Sequence, residues 1–312
     1  MKPDVVAVTP LYQPVMEGLE AAYTVHRLFE AGDRKAFLAG VKDKAQAITT
    51  FGGTVNAELM DALPKLKIIA CMSVGVDNVD LAAAKARGIR VTNAPDVLTD
   101  DVADLAIALL LGVARRIPQA DRYVREGKWA AKGAMPLATK LGGSTMGVLG
   151  LGRIGMAIAK RAEALGVKIV YNGPRQKPGV AYRYYADLSA MAKDVDYLMI
   201  ACPGGAATRN LVNEKVISSL GKKGVIINIA RGSVVDEPAM VKALVEGKLR
   251  GAGLDVFADE PRVPEALLKL DNVVLLPHIG SATQATRRAM GQLMLDNLAA
   301  FYAGKPLITP VV

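Results

Sequence analysis

Six residues near the middle of the chain restrict its fold more than any others. Met146-Gly147-Val148-Leu149 runs into Gly150-Leu151-Gly152-Arg153-Ile154-Gly155; a helical pattern follows from Met156 to Leu165, and a strand-like run follows at Val167–Tyr171. A GxGxxG turn is weak evidence alone. Set between a strand and a helix inside one βαβ unit, it predicts a dinucleotide-binding loop. Gly150 allows the tight turn, Gly152 lets the backbone approach a pyrophosphate, and Gly155 lets helix and strand pack closely, with the helix N-terminus facing the anion. The alternative is a purely structural glycine turn.

The rest of the chain repeats the same alternation. Strand candidates in the first third are Val5–Thr9, Thr24–Leu28, Ala47–Thr50, Lys67–Met72 and Ile89–Asn93, separated by helical stretches such as Asp33–Ala39 and Asn56–Ala62. Later candidates are Met146–Gly150, Lys168–Asn172, Tyr197–Cys202, Val225–Ile229, Gly251–Leu254 and Val273–Leu275. Strands joined by helix-length crossovers predict parallel sheets covered on both faces. The strands fall into two groups, as a chain of 312 residues allows. Between them lies a long helix candidate with Thr99 as N-cap, Asp100 and Asp101 in its first turn and apolar residues to Val113. The polar segment Arg115–Thr145 reads as a link or an arm on another subunit. The last helix, Thr283–Tyr302, offers Met290, Leu293, Leu295, Leu298 and Phe301 on one face. It is expected to cross back onto the first group. The predicted fold is therefore α/β, with two doubly wound parallel-sheet domains: residues 1–97 with 284–312, discontinuous, and residues 98–283.

Composition excludes several classes. Hydrophobic residues are 51% and charged residues 22%, so the chain is globular rather than disordered. Its two cysteines, Cys71 and Cys202, cannot make a disulfide framework or a cysteine-rich zinc module, and they fit a reducing cytosol. The longest apolar stretch, Leu105–Ala114, is too short to span a bilayer, and the N-terminus lacks a secretory core. A cytoplasmic protein with no membrane and no metal is expected. The net charge of +9 comes without a basic block or basic-aromatic interleaving, so nucleic acid is not expected as partner.

The turn after the second nucleotide-binding strand bears on the cofactor. An acid there would bind a ribose 2′-hydroxyl. The chain instead reads Asn172-Gly173-Pro174-Arg175-Gln176-Lys177, with no acid between Glu163 and Asp187. Arg175 and Lys177 are placed to meet a 2′-phosphate, which favours NADPH over NADH; the alternative is that both are solvated turn residues. Further on, successive strand ends carry Arg231, Glu260 and His278. Together they supply a guanidinium for an anionic substrate, a carboxylate to orient and charge an imidazole, and a proton donor. The other histidine, His26, reads as structural.

These segments resemble the D-isomer-specific 2-hydroxyacid dehydrogenases along nearly the whole chain. The motifs are Ser73-Val74-Gly75-Val76-Asp77-Asn78, Asn93-Ala94-Pro95 leading into Asp100–Leu105, Gly150–Gly155, Asn228–Asp236, Gly253–Pro261 and Pro277–Thr283. Within the family the chain looks most like NADPH-dependent glyoxylate/hydroxypyruvate reductases and their hydroxyphenylpyruvate-reducing relatives. The resemblance implies that Arg231 binds the substrate carboxylate and polarises its carbonyl, that His278 is the acid in reduction, and that Glu260 orients His278. It implies that Val74 and Gly75 hold the carboxylate through backbone N–H groups. The implied cofactor residues are Gly150, Leu151, Gly152, Arg153, Ile154, Asn172, Gly173, Pro174, Arg175, Cys202, Pro203, Ile229, Ala230, Arg231, Asp255, His278 and Gly280. It also implies a homodimer built by residues 105–145 and a catalytic step accompanied by domain closure. Two departures stand out: Ala134-Met135-Pro136-Leu137 lacks the aromatic residue often found there, and Pro174 displaces the family's basic residue, leaving Arg175 in that role. The rival classes are a dimeric dinucleotide-sensing regulator and an enzyme that oxidises phosphite or formate on the same fold.

Overall fold

The computed structural model describes residues 2–312. The chain forms two compact units, one comprising residues up to Leu98 together with Ser281–Val312, the other Thr99–Gly280. In the first, β1 (Asp4–Ala7), α1 (Gln13–Ala22), β2 (Thr24–Arg27), α2 (Arg34–Val41), β3 (Ala47–Thr50), α3 (Ala57–Asp61), β4 (Ile68–Cys71), α4 (Leu81–Ala86) and β5 (Arg90–Thr92) alternate along the chain. Their strands form one all-parallel sheet in the order β2-β1-β3-β4-β5. The central strands β3 and β4 are buried throughout, as expected of a sheet covered on both faces.

The second unit opens with α5 (Thr99–Arg115), α6 (Ile117–Arg125) and α7 (Lys128–Lys132). Then follow β6 (Thr145–Leu149), α8 (Arg153–Ala164), β7 (Lys168–Asn172), β8 (Arg183–Tyr185), α9 (Leu188–Lys193), β9 (Tyr197–Ile200), α10 (Glu214–Leu220), β10 (Val225–Asn228), α11 (Glu237–Val245), β11 (Gly251–Leu254), α12 (Glu265–Leu268) and β12 (Val273–Leu275). The seven strands run parallel in the order β12-β11-β10-β9-β6-β7-β8. Strand order reverses at β6, so the crevice beyond the C-terminal ends of β6 and β9 is the topological switch point. The last helix, α13 (Gln284–Tyr302), packs against α1 and β4 of the first unit.

Side-chain caps explain where many helices begin. Asp33 accepts from the N–H groups of Lys35 and Ala36, and Asn56, Asp80, Asp187, Asn213, Asp236 and Thr283 each accept from an N–H in the following turn. Each such cap stabilises its helix by about 1 kcal/mol. Thr99 is a correction. It is the first helical residue of α5 rather than its cap, and the helix runs on to Arg115. Arg116, at φ 56°, then breaks the chain direction before α6, so the expected polar link carries two helices. Strand β8 was not anticipated: its Arg-Tyr-Tyr sequence hides an edge strand behind polar tips. On α13, Met290, Met294 and Leu298 are buried, while Leu293 and Leu295 are only half-buried. His26 sits on β2, bonded through Nε2 to Asp4 at 2.7 Å.

Buried Asn297 ties the C-terminal tail to this unit. Its carbonyl accepts from the N–H groups of Ile308 and Thr309, and its amide donates to Leu293 O and Thr309 Oγ1. The tail then pairs with β5, Val311 donating to Val91 O at 2.7 Å. Among the described residues, no helix is long and apolar enough to cross a membrane.

Candidate active site

The glycine loop takes shape where β6 ends. Gly150 adopts φ 93°, and a Cβ there would lie 2.6 Å from the Cys202 backbone at the end of β9. A Cβ on Gly155 would run into the Gly150 carbonyl. Both positions therefore require glycine. Gly152, by contrast, faces open space and precedes α8 without a side-chain cap. The first turn of α8, starting at Arg153 and Ile154, thus presents N–H groups towards that space. This is the arrangement that receives a pyrophosphate.

The neighbouring turn is open as well. Nothing lies within 4 Å of a Cβ on Gly173, and Pro174, Arg175 and Lys177 are exposed. Arg175 has no hydrogen bond or ion pair among the described residues. The turn's shape is held from below: Tyr184 donates to Gly173 O, and Tyr171 accepts from Lys177 N–H at 2.8 Å. Asn172 is buried and its amide donates to Tyr185 O, so its side chain serves β8. Leu151, Cys202, Ile229 and Ala230 also have buried side chains. They shape the edge of the sheet from within, whereas Pro203 is exposed.

Three loops at the same sheet edge carry the reactive groups. Arg231 follows β10. Asn228 braces its turn by accepting from Ala230 N–H and donating to Arg231 O, while Arg231 Nη1 donates to Ala230 O at 2.7 Å. The next residue, Gly232, packs so closely on the Phe257–Ala258 backbone that a Cβ would collide with it. The loops after β10 and β11 are thereby locked together. Glu260 accepts from Phe257 N–H at 3.0 Å through Oε1 and from His278 Nδ1 at 2.7 Å through Oε2.

Burial works to raise the Glu260 pKa, but the hydrogen bonds from His278 and Phe257, with the charges of His278 and Arg231, hold it below the usual glutamate value. Ionised, it can only accept, so Nδ1 must be the donor and Nε2 is left facing outward for chemistry.

His278 itself has φ 54°, a left-handed conformation that costs energy for a residue with a side chain. Asp255 restrains that turn. Its two carboxylate oxygens accept from Ile279 N–H at 2.7 Å and Gly280 N–H at 2.8 Å. Burial raises the Asp255 pKa, with those two N–H bonds opposing the shift. The role of Asp255 as a bracket for the histidine turn was not legible in the sequence; only the coincidence of an acid after β11 and a glycine after His278 hinted at it.

In the first unit, the loop after β4 holds Val74 and Gly75. Ser73 Oγ donates to Gly75 O and Asn93 donates to Val74 O. The carbonyls are thus occupied, while the N–H groups of both residues make no bond among the described residues. Such a pair of donors suits a carboxylate.

Residues 107–280 match the family model described as D-isomer specific 2-hydroxyacid dehydrogenase, NAD binding domain. The chain belongs to the D-isomer specific 2-hydroxyacid dehydrogenases. It is accordingly an oxidoreductase of the type that uses a nicotinamide dinucleotide. This dehydrogenase is 48% identical over 309 residues to the hydroxyphenylpyruvate reductase of Plectranthus scutellarioides, covering 99% of this chain and 98% of that one. It is 47% identical over 309 residues, with the same coverage, to a glyoxylate/hydroxypyruvate reductase of Arabidopsis thaliana. Its fold matches a solved NADPH-dependent glyoxylate/hydroxypyruvate reductase of Sinorhizobium meliloti, in complex with NADP and malonate, at TM-score 0.95 and 46% identity, covering 100% of this chain and 97% of that one.

Proposed function

We propose that this dehydrogenase reduces small 2-oxo acids, glyoxylate and hydroxypyruvate foremost, with NADPH preferred over NADH. The observation that carries the reading is the Glu260–His278 pair at 2.7 Å, beside Arg231, on the sheet edge that also bears the open glycine loop. The uncapped start of α8 and the open space at Gly152 and Gly173 fit a dinucleotide, whose bound nicotinamide supplies the hydride. Arg231 binds the substrate carboxylate and polarises the carbonyl. His278 delivers a proton from Nε2 to the forming alkoxide, and Glu260 steadies the imidazole as its charge changes. Val74 and Gly75 contribute N–H groups to the carboxylate. In this reading residues 1–97 and 284–312 form the substrate domain, residues 98–283 the nucleotide domain, and residues 105–145 the contact of a homodimer. The two cysteines are unpaired, which supports a reducing, cytoplasmic setting.

The NADPH preference rests on Gly173 and Arg175. Gly173 leaves room for a 2′-phosphate, and Arg175, bound to nothing else, can form a charge-assisted pair worth roughly 1.5–3 kcal/mol. At about 1.4 kcal/mol per tenfold, that predicts an NADPH preference of one to two orders of magnitude. A kinetic panel of glyoxylate, hydroxypyruvate, pyruvate and hydroxyphenylpyruvate with both cofactors tests the whole reading. Glyoxylate and hydroxypyruvate should give the highest kcat/KM. The 48% identical relative named for hydroxyphenylpyruvate supports a second reading, in which the aromatic acid is the better substrate. No turnover of any 2-oxo acid would sink both and leave a dinucleotide sensor.

A further inference from the structure

Strands β7 and β8 are parallel neighbours, yet no helix joins them. The chain returns through the connection 173–182, which carries Arg175 and Lys177. Tyr171 on β7 and Tyr184 on β8 are register partners, so their rings lie side by side, with 5.3 Å between centres and a tilt of 51°. Each sends its hydroxyl to one end of the turn that holds Arg175. Tyr184 donates to Gly173 O at 3.0 Å, and Tyr171 accepts from Lys177 N–H at 2.8 Å. A third tyrosine, Tyr182, donates to Glu163 on α8 and anchors the far end of the connection. Tyr171 is fully buried and Tyr184 half-buried, so the clamp rises from the core of the sheet edge.

The hydrogen bond at Gly173 bears on what the turn can accept. Proline follows Gly173, so the peptide between them offers a carbonyl and no N–H. A carbonyl oxygen facing a 2′-phosphate would set partial negative charge against an anion. Facing a ribose 2′-hydroxyl, the same oxygen would accept a hydrogen bond, the service that an acid gives in an NAD site. In this chain the oxygen is taken by Tyr184. Arg175 and Lys177, whose side chains have no hydrogen bond or ion pair among the described residues, are the charges left to face a ligand.

We infer that Tyr184 is a positioning residue for cofactor choice. By holding the Gly173 carbonyl, it keeps that oxygen from a ribose 2′-hydroxyl and leaves the turn to Arg175 and a 2′-phosphate. Tyr171 fixes the other end of the same turn through Lys177. The inference rests on the proposed NADPH preference and adds the group that enforces it. The effect is confined to the adenosine end: β8 and β12 are the two outer strands of the sheet, and His278 follows β12.

Tyr184→Phe removes one hydroxyl and keeps the ring beside Tyr171, so the sheet edge stays packed. Calorimetric titration of the full chain with 2′,5′-ADP and 5′-AMP tests the inference without catalysis, because these probes differ only in the 2′-phosphate. The parent should bind 2′,5′-ADP about tenfold or more tightly than 5′-AMP, the scale of one charge-assisted pair. Tyr184→Phe should weaken 2′,5′-ADP about three- to tenfold, the scale of one neutral hydrogen bond, and bind 5′-AMP as tightly as the parent or more so. In hydroxypyruvate reduction its KM for NADPH should rise by a similar factor while kcat stays within about twofold. A parent that binds both probes equally overturns the NADPH preference and this inference together. A parent that discriminates, beside a Tyr184→Phe protein with unchanged affinity for 2′,5′-ADP, overturns the inference alone. So does a variant that weakens both probes by the same factor, since the clamp would then only hold the fold.

Discussion

Replacing Glu260 by glutamine changes one oxygen into an amide group and almost nothing in shape. Its effect follows from hydrogen-bond bookkeeping. The glutamate uses both oxygens as acceptors, one for Phe257 N–H at 3.0 Å and one for His278 Nδ1–H at 2.7 Å. Glutamine has a single acceptor oxygen. If that oxygen keeps the Phe257 bond, the amide donates to Nδ1 and forces the proton to Nε2 in a neutral ring, a poor acid. If it keeps the Nδ1 bond, two N–H donors face each other at Phe257, and the loop locked to Gly232 is disturbed. Either arrangement loses a charge-assisted hydrogen bond, worth roughly 1.5–3 kcal/mol when shielded. The side chains are 47% and 34% exposed, so solvent reduces this to the lower half of the range. Glu260→Gln should therefore lower kcat for hydroxypyruvate reduction by about ten- to fortyfold on that arithmetic. The KM for the dinucleotide should stay within about twofold, because Glu260 is separate from the glycine loop; a twofold change is only about 0.4 kcal/mol. Steady-state kinetics between pH 5 and 9 is the assay. A variant with kcat within threefold of the parent across that range, on the 1.4 kcal/mol-per-tenfold scale, would refute the pairing as the source of catalysis.

Three other outcomes are expected. Asp255→Asn leaves an amide group facing either Ile279 N–H or Gly280 N–H, so kcat should fall about tenfold, the effect of a single bond worth about 1–3 kcal/mol on the strained histidine turn, as steady-state kinetics would read. Burial pushes the Cys71 thiol up to about 12 and the Cys202 thiol up to about 11, so iodoacetamide at pH 8 should label neither in the folded protein and both in urea, counted by mass spectrometry. Acid should weaken the fold partly through Glu260: its pKa is lowered on folding, so its contribution is present above the usual glutamate value and is lost as pH falls through the folded value. Urea unfolding at pH 7 and pH 4 should accordingly show a smaller drop for Glu260→Gln than for the parent.

Much of this architecture was legible from local pattern. The βαβ unit around Gly150 announces itself because its glycines answer steric demands within ten residues of chain. The strands buried on both faces read as continuous apolar runs, and Asp33, Asn56 and Thr283 mark helix starts by the chemistry of their own side chains. Arg231, Glu260 and His278 were found because parallel strands put their C-terminal ends on one edge. What escaped notice depends on distant partners or weak signals. Strand β8 carries no apolar alternation, only tyrosines whose hydroxyls reach Gly173 and Asp194. The bracket from Asp255 to Ile279 and Gly280 spans 24 and 25 positions of sequence, and no spacing rule points to it. The helices within Arg115–Thr145 were hidden by a polar composition that an exposed arm shares with a loop.

The return of α13 to the first unit has a consequence for biosynthesis. The five strands of that unit leave the ribosome first, but the helix that covers β4 and the tail that pairs with β5 leave last, after the whole of Thr99–Gly280. The second unit is continuous in sequence and can complete its core while the chain is still being made. The first must wait with β4 not yet covered by α13 and β5 not yet paired with the tail, and its closing contacts join segments separated by the whole of Thr99–Gly280, a slow and aggregation-exposed step. Chaperone demand during translation should therefore concentrate on strands that are made before the second unit and covered only after it.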